Sequence, residues 1–266
     1  MSFFLATITV FNQNKSSMIF QIILGVAVLM MIERARSGQK IPKIRRLAGL
    51  DALDEAIGRA TEMGRPVMYD PGGDGLSNAQ TIASFSVLSY IVRSCARYDT
   101  RFIAMVRSGV QIYGVVEGIV RENYAASGKG DSFDPTMVRF LASGWGANTT
   151  AAIGLIKREQ VAANAWFGGY YAETMMLTEI SNLQGSIQVA ATAQTAQLPF
   201  FIAACDYTLI GEELFAAGAY LATDHVPKAN LVVLDYFKIA TAVLLVVGAL
   251  LATMGNTWLY ELLRNT

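Results

Sequence analysis

Five turns in the middle of this chain concentrate the residue types that could hold a small ligand. They are Asp70-Pro71-Gly72-Gly73-Asp74-Gly75, Arg107-Ser108-Gly109, Ser143-Gly144-Trp145-Gly146-Ala147-Asn148, Gly168-Gly169-Tyr170-Tyr171 and Ala191-Thr192-Ala193-Gln194. Glycine lets backbone amides come close to an anion, and a helix beginning just beyond such a turn adds unpaired N–H groups and a positive dipole end. Asp70, Gly72, Gly73, Gly75, Ser108, Ser143, Gly144, Gly146, Asn148 and Thr192 are therefore the candidate ligand contacts. The first turn lacks the third glycine of a dinucleotide fingerprint, and no turn carries the lysine of a phosphate-binding loop. Its aspartates do not match a calcium loop. Glycines also occupy strand-to-helix turns for geometric reasons alone, which is the competing reading.

Groups able to move protons are few: Asp70, Asp74, Glu173 and Asp206. A carboxylate pair could do acid–base work, but nothing in their spacing brings them together. Glu173 opens a helix, where an acid is favoured by the dipole in any case. Cys95 and Cys205 stand far apart in apolar contexts and offer neither metal spacing nor a disulfide framework. The single histidine, His225, excludes a histidine-rich metal site and reads as a loop residue before Pro227. Neither a catalytic residue nor a cofactor is assigned.

The elements that must position these turns follow from the alternation of apolar runs with amphipathic ones. Residues 51–63 carry Leu53, Ile57 and Ala60 on one stripe, with Asp51 as N-cap and Gly64 as the stop. Strands are expected at 66–69, 101–106, 138–142, 163–167 and 186–190. Helices are expected at 77–98, 110–126, 147–160, 170–183, 199–205 and 208–221. Strands alternating with helices define an α/β class with a mostly parallel sheet covered on both faces. The strands lack polar–apolar alternation, as strands buried on both faces should. The expectation is one three-layer, Rossmann-like domain over residues 47–228, with strand order unread.

The ends of the chain look different. Residues 16–32 hold no ionisable side chain, and at 1.5 Å per residue they reach roughly 25 Å, near the lower limit for a membrane crossing. Residues 239–257 have an uninterrupted apolar centre followed by Trp258 and Tyr260, suited to an interface. Two flanking transmembrane helices are expected there. Arg34, Arg36, Lys40, Lys43, Arg45 and Arg46 form a basic linker over 33–46 that belongs on the cytoplasmic side. The expected arrangement is a two-pass protein of the cell membrane with a cytoplasmic domain. Both termini, residues 1–15 and the short tail 258–266, then lie outside. The 21 basic and 21 acidic residues cancel, which argues against a nucleic-acid partner.

Partners beyond the lipid bilayer follow from small residues. Ala83, Ser84, Ser86 and Ser89 on the long helix suit packing against another subunit, and Gly248, Ala249 and Ala252 permit close helix association. A homo-oligomer is expected, with other membrane proteins as further partners. Residues 51–72 (DALDEAIGRATEMGRPVMYDPG), 188–201 (QVAATAQTAQLPFF) and 203–221 (AACDYTLIGEELFAAGAYL) resemble a prokaryotic family of membrane-associated proteins classified only as a domain of unknown function. That resemblance implies a cytoplasmic domain attached to membrane and no particular chemistry. The leading functional expectation is a membrane-anchored, self-assembling scaffold or partner-binding protein. The alternative is a small-anion or nucleotide-binding domain, with or without catalysis, that uses the glycine-rich turns.

Overall fold

The computed structural model describes residues 22–254, apart from residues 24, 31, 34–47, 108, 143 and 222–224. The chain divides into two compact units, Arg45–Ala222 and Met1–Ile44 with Thr223–Thr266. In the first unit α1 (Ala48–Glu62) leads into β1 (Val67–Gly72), and helices then alternate with strands. They are α2 (Ala79–Tyr98), β2 (Phe102–Val106), α3 (Val110–Ala126), β3 (Val138–Phe140), α4 (Trp145–Glu159) and β4 (Ala163–Gly169). After these come α5 (Thr174–Leu183), β5 (Ile187–Thr192), α6 (Leu198–Ala204), β6 (Tyr207–Ile210) and α7 (Glu213–Leu221).

The six strands form one sheet in the order β3-β2-β1-β4-β5-β6, and every pairing is parallel. This is the doubly wound order, with its switch point between β1 and β4. α1, α2, α3 and α7 pack on one another, and α4, α5 and α6 form the second layer. The central strands β1, β2 and β4 are buried at every residue, which explains their unbroken apolar character. On the α4–α6 side Met68, Ile103, Leu155, Ile156, Trp166, Tyr170 and Phe201 make one apolar cluster. On the α2 side the Tyr69 hydroxyl donates to Ser84 O at 2.8 Å, and its ring stacks on Phe167.

Two readings of the sequence change inside this unit. Residues 207–210 form a sixth strand rather than the start of a helix. Asp206 Oδ2 accepts from Gln188 N at 2.7 Å and docks this short, half-exposed edge strand beside β5. The small residues of α2 are used within the chain: a Cβ on Gly218 of α7 would come within 2.8 Å of Ser86 Cβ. Small side chains there let two helices of one domain approach closely.

The second unit overturns the membrane expectation. No helix among the described residues is long and apolar enough to cross a membrane. The segment at 239–257 belongs to α8 (His225–Thr253), whose first half carries Lys228, Asp235 and Lys238. What remains apolar, from Ile239 to the helix end at Thr253, is shorter than the roughly 20 residues a span takes. His225 opens this helix rather than lying in a loop. Of the first segment, residues 25–30 are helical, while 16–21, 24 and 31 lie outside the described residues, as do the linker at 34–46 and the tails at 1–15 and 258–266. The two flanking transmembrane helices are thus withdrawn, and the two-pass topology with them.

Candidate functional site

Four of the five turns converge beyond the carboxyl ends of β1, β2, β3 and β4. The pocket there measures about 370 Å³ and is lined by Gly73, Arg107, Gly109, Phe140, Ala142, Gly144, Trp145, Asn148, Tyr171 and Glu173. Its floor is a buried ion cluster. Arg107, the residue after β2, has a side chain only 4% exposed, and its Nε donates to Asp70 Oδ2 at 2.9 Å. Its Nη1 donates to Glu173 Oε1 at 3.2 Å. Nη2, the remaining guanidinium nitrogen, has no partner among the described residues. The ring of Tyr170 lies 5.5 Å from the guanidinium carbon, and its hydroxyl donates to Asp70 O at 2.8 Å.

Each carboxylate is held differently. Asp70, at the end of β1, is fully buried; burial pushes its carboxyl above the ordinary range, while Arg107 and the Gly72 amide pull it back. Glu173, the residue before α5, also resists ionisation through burial. Trp145 Nε1, which donates to Glu173 Oε2 at 2.9 Å, and Arg107 outweigh that and hold its carboxyl below the ordinary value. The Arg107 guanidinium is disfavoured by burial, and Asp70 and Glu173 more than compensate, so it stays charged. Among the described residues no three His, Cys, Asp or Glu side chains converge as metal ligands. The two carboxylates here hold a guanidinium instead.

Two helices begin at this pocket, and each begins at a glycine. α3 starts after Gly109 and α4 after Gly144, so neither capping residue has a side chain to accept from the first-turn amides. Asn148, in the first turn of α4, ties the two turns together by donating Nδ2 to Arg107 O at 2.7 Å. Its Oδ1 is buried without a partner among the described residues.

The switch-point crevice itself is closed. Gly72 pairs with Gly169, and Gly73 N donates to Gly169 O at 2.9 Å. Gly168, with φ +146°, passes so near Pro71 that a Cβ there would overlap the Pro71 carbonyl. Backbone therefore fills the place where doubly wound folds usually take a ligand. The open pocket lies beside this seal and takes its lining from the carboxyl ends of β1, β2, β3 and β4.

Of the candidate contacts, Gly73, Gly144 and Asn148 line the pocket, and Asp70 lies beneath it as the partner of Arg107. Gly72 serves the β1–β4 seal. Gly146 is exposed in the first turn of α4, beside the lining residues but not one of them. Gly75 accepts from Asn78 N in the turn before α2. Thr192 ends β5, where its hydroxyl meets Gln80 Oε1 at 3.3 Å, away from the pocket. Ser108 and Ser143 lie outside the described residues. Arg107, Trp145, Tyr171 and Phe140 were not among the candidate contacts, and Glu173 was named only as a group able to move protons. A lone arginine directly after a buried strand was the available signal for Arg107, because such a charge must find partners.

The opposite shifts of the two carboxyls make a prediction. A carboxyl lowered on folding stabilises the fold above its unfolded pKa and loses that contribution as pH falls through the folded value. Glu173→Gln should therefore melt below the wild type at pH 7, and the gap should close as pH drops below the ordinary carboxyl range of about 4. Asp70, raised on folding, works in reverse: its contribution is full at low pH and fades as pH rises. Melting curves of both proteins from pH 7 to pH 3 check this, and a gap independent of pH would contradict the assigned ionisation of Glu173.

The chain is thus a doubly wound α/β protein with a polar-floored, aromatic-rimmed pocket at the carboxyl edge of its sheet. It belongs to the family described as a domain of unknown function (DUF6754), which it matches over residues 6–263. No curated protein and no solved structure matches it.

Proposed function

We propose that the Arg45–Ala222 unit binds a small anionic molecule in the pocket beyond the carboxyl ends of β1, β2, β3 and β4. The observation that carries this reading is Arg107 Nη2: a buried guanidinium nitrogen without a partner among the described residues, beside two helix N-termini that no side chain caps. An unpaired buried donor is costly, and a bound anion relieves the cost. The two dipole ends favour the same sign of charge. The pocket volume lies within the range of small-ligand sites, about 300–1,000 Å³. The scaffold reading has less beneath it, since the α2 small-residue face is occupied by α7.

Inorganic phosphate tests the reading. A ligand at a hundredfold its Kd stabilises the fold by about 2.7 kcal/mol. For a unit of this size that raises the melting temperature by about 5–10 °C. Gly146→Asp separates binding from folding. Nothing lies within 4 Å of a Cβ at Gly146, and an acid in the first turn of α4 is favoured by the dipole. The variant should melt at or above the wild-type temperature without ligand, yet show no phosphate shift. A wild type indifferent to phosphate, sulfate and carboxylates alike would end the proposal.

A further inference from the structure

We infer that the anion entering this pocket is the phosphoryl group of a nucleoside monophosphate whose base lies against Trp145. The inference rests on the anion-binding reading above and identifies the rest of the ligand. Phe140, Trp145 and Tyr171 line the same pocket as Arg107 and are 37%, 57% and 47% exposed. Two of these rings are tied by their polar tips. Trp145 Nε1 donates to Glu173 Oε2 at 2.9 Å, and the Tyr171 hydroxyl donates to Asp74 Oδ1 at 2.6 Å. Those bonds set the ring orientations while leaving ring surface open, so the entropy of ordering them is lost on folding rather than on binding. A preordered, uncovered aromatic surface suits a flat base, and stacking tolerates any base because each has a π face.

The deep end of the pocket specifies the other half of the ligand. Its lining comes from three elements: Arg107 after β2, Gly109 at the start of α3, and Gly144, Trp145 and Asn148 at the start of α4. Convergence from three directions matches the three terminal oxygens of a phosphoryl group better than the two coplanar oxygens of a carboxylate. Asn148, another lining residue, carries a buried Oδ1 acceptor without a partner among the described residues, and a sugar hydroxyl that reaches it supplies the donor that a bare phosphate dianion does not. The volume of about 370 Å³ and the sealed β1–β4 crevice leave room for one nucleotide rather than two.

Titrating the full chain with inorganic phosphate, ribose 5-phosphate, adenosine, AMP and UMP, followed by calorimetry, tests the assignment. AMP and UMP should bind about 10- to 100-fold more tightly than ribose 5-phosphate, the gain that stacking one base gives. Trp145→Leu should remove that gain, read as the ratio of AMP to ribose 5-phosphate affinity, since the variant also loses the Nε1 bond to Glu173. Trp145→Phe, which keeps a ring, should retain most of it. Trp145 is surface-exposed, and melting curves verify that the variants fold. Equal affinities for AMP and ribose 5-phosphate would overturn the nucleotide inference while the anion reading stands. Adenosine binding as tightly as AMP would overturn the anion reading itself, and no binding by any of the five would overturn both.

Discussion

Arg107→Met should lower the stability of the Arg45–Ala222 unit by about 3–5 kcal/mol at neutral pH, the usual result of removing one partner from a buried ion cluster. For a unit of this size the corresponding fall in melting temperature is about 6–20 °C. The cost comes less from the lost attraction than from what stays behind. Asp70 and Glu173 are both buried, and without the guanidinium each carboxylate must remain charged in a poorly polar place or take up a proton. Proton uptake raises both pKa values above their unfolded ones, so the variant should be most stable at low pH and lose stability as pH rises. Adding Asp70→Asn and Glu173→Gln to Arg107→Met should restore part of the loss, because the stranded charges are then gone. Chemical denaturation at pH 5 and pH 8 measures each step. A single variant within about 1 kcal/mol of wild type at pH 8 would show that the cluster is not buried as described. The phosphate response should disappear in every protein lacking Arg107.

Gly168→Ala should be at least as damaging, through backbone rather than charge. A Cβ at this position would overlap the Pro71 carbonyl oxygen and sit 2.8 Å from its carbon, and the φ of +146° is one that L side chains rarely adopt. The neighbour is main chain at the end of a central strand and cannot swing aside. Overpacking costs about 1–3 kcal/mol, and a residue held in a glycine-only region about 1–3 kcal/mol more. Together they predict a loss of order 4 kcal/mol. Gly75→Ala is the control: nothing lies within 4 Å of its Cβ, so its change should stay within about 0.5 kcal/mol. Melting curves of the two variants side by side are sufficient. If Gly168→Ala melts within about 2 °C of wild type, β1 and β4 are not sealed by backbone contact.

The sequence by itself determined the class of the fold. Apolar runs such as residues 102–106 mark strands buried on both faces, and helix-period stripes such as Leu53, Ile57 and Ala60 alternate with such runs along the chain. These are local, periodic signals and need no knowledge of neighbours. It also located turns that line the pocket, since glycine at the end of a strand is local chemistry, and Gly73, Gly144 and Asn148 do meet there. Apolar length at the chain ends misled. Hydropathy alone does not register that Lys228, Asp235 and Lys238 share one helix with residues 239–253. The sixth strand escaped because an edge strand of four residues, half exposed, has too little pattern to separate it from the helix that follows.

Only the tertiary structure decided which turns act together. Asp70, Arg107 and Glu173 lie 37 and 66 residues apart along the chain, and a guanidinium can hold two carboxylates from such distances only after the strand order is set. The order β3-β2-β1-β4-β5-β6 puts β1 beside both β2 and β4, which brings Asp70 and Glu173 within reach of Arg107 and leaves Thr192 beyond β4. It also aligned Gly72 with Gly169, closing the crevice at the switch point and leaving the open pocket beside that seal. Residue type at one position carries no record of which strand will lie beside it, because parallel pairing between buried strands is chosen by the packing of the whole sheet.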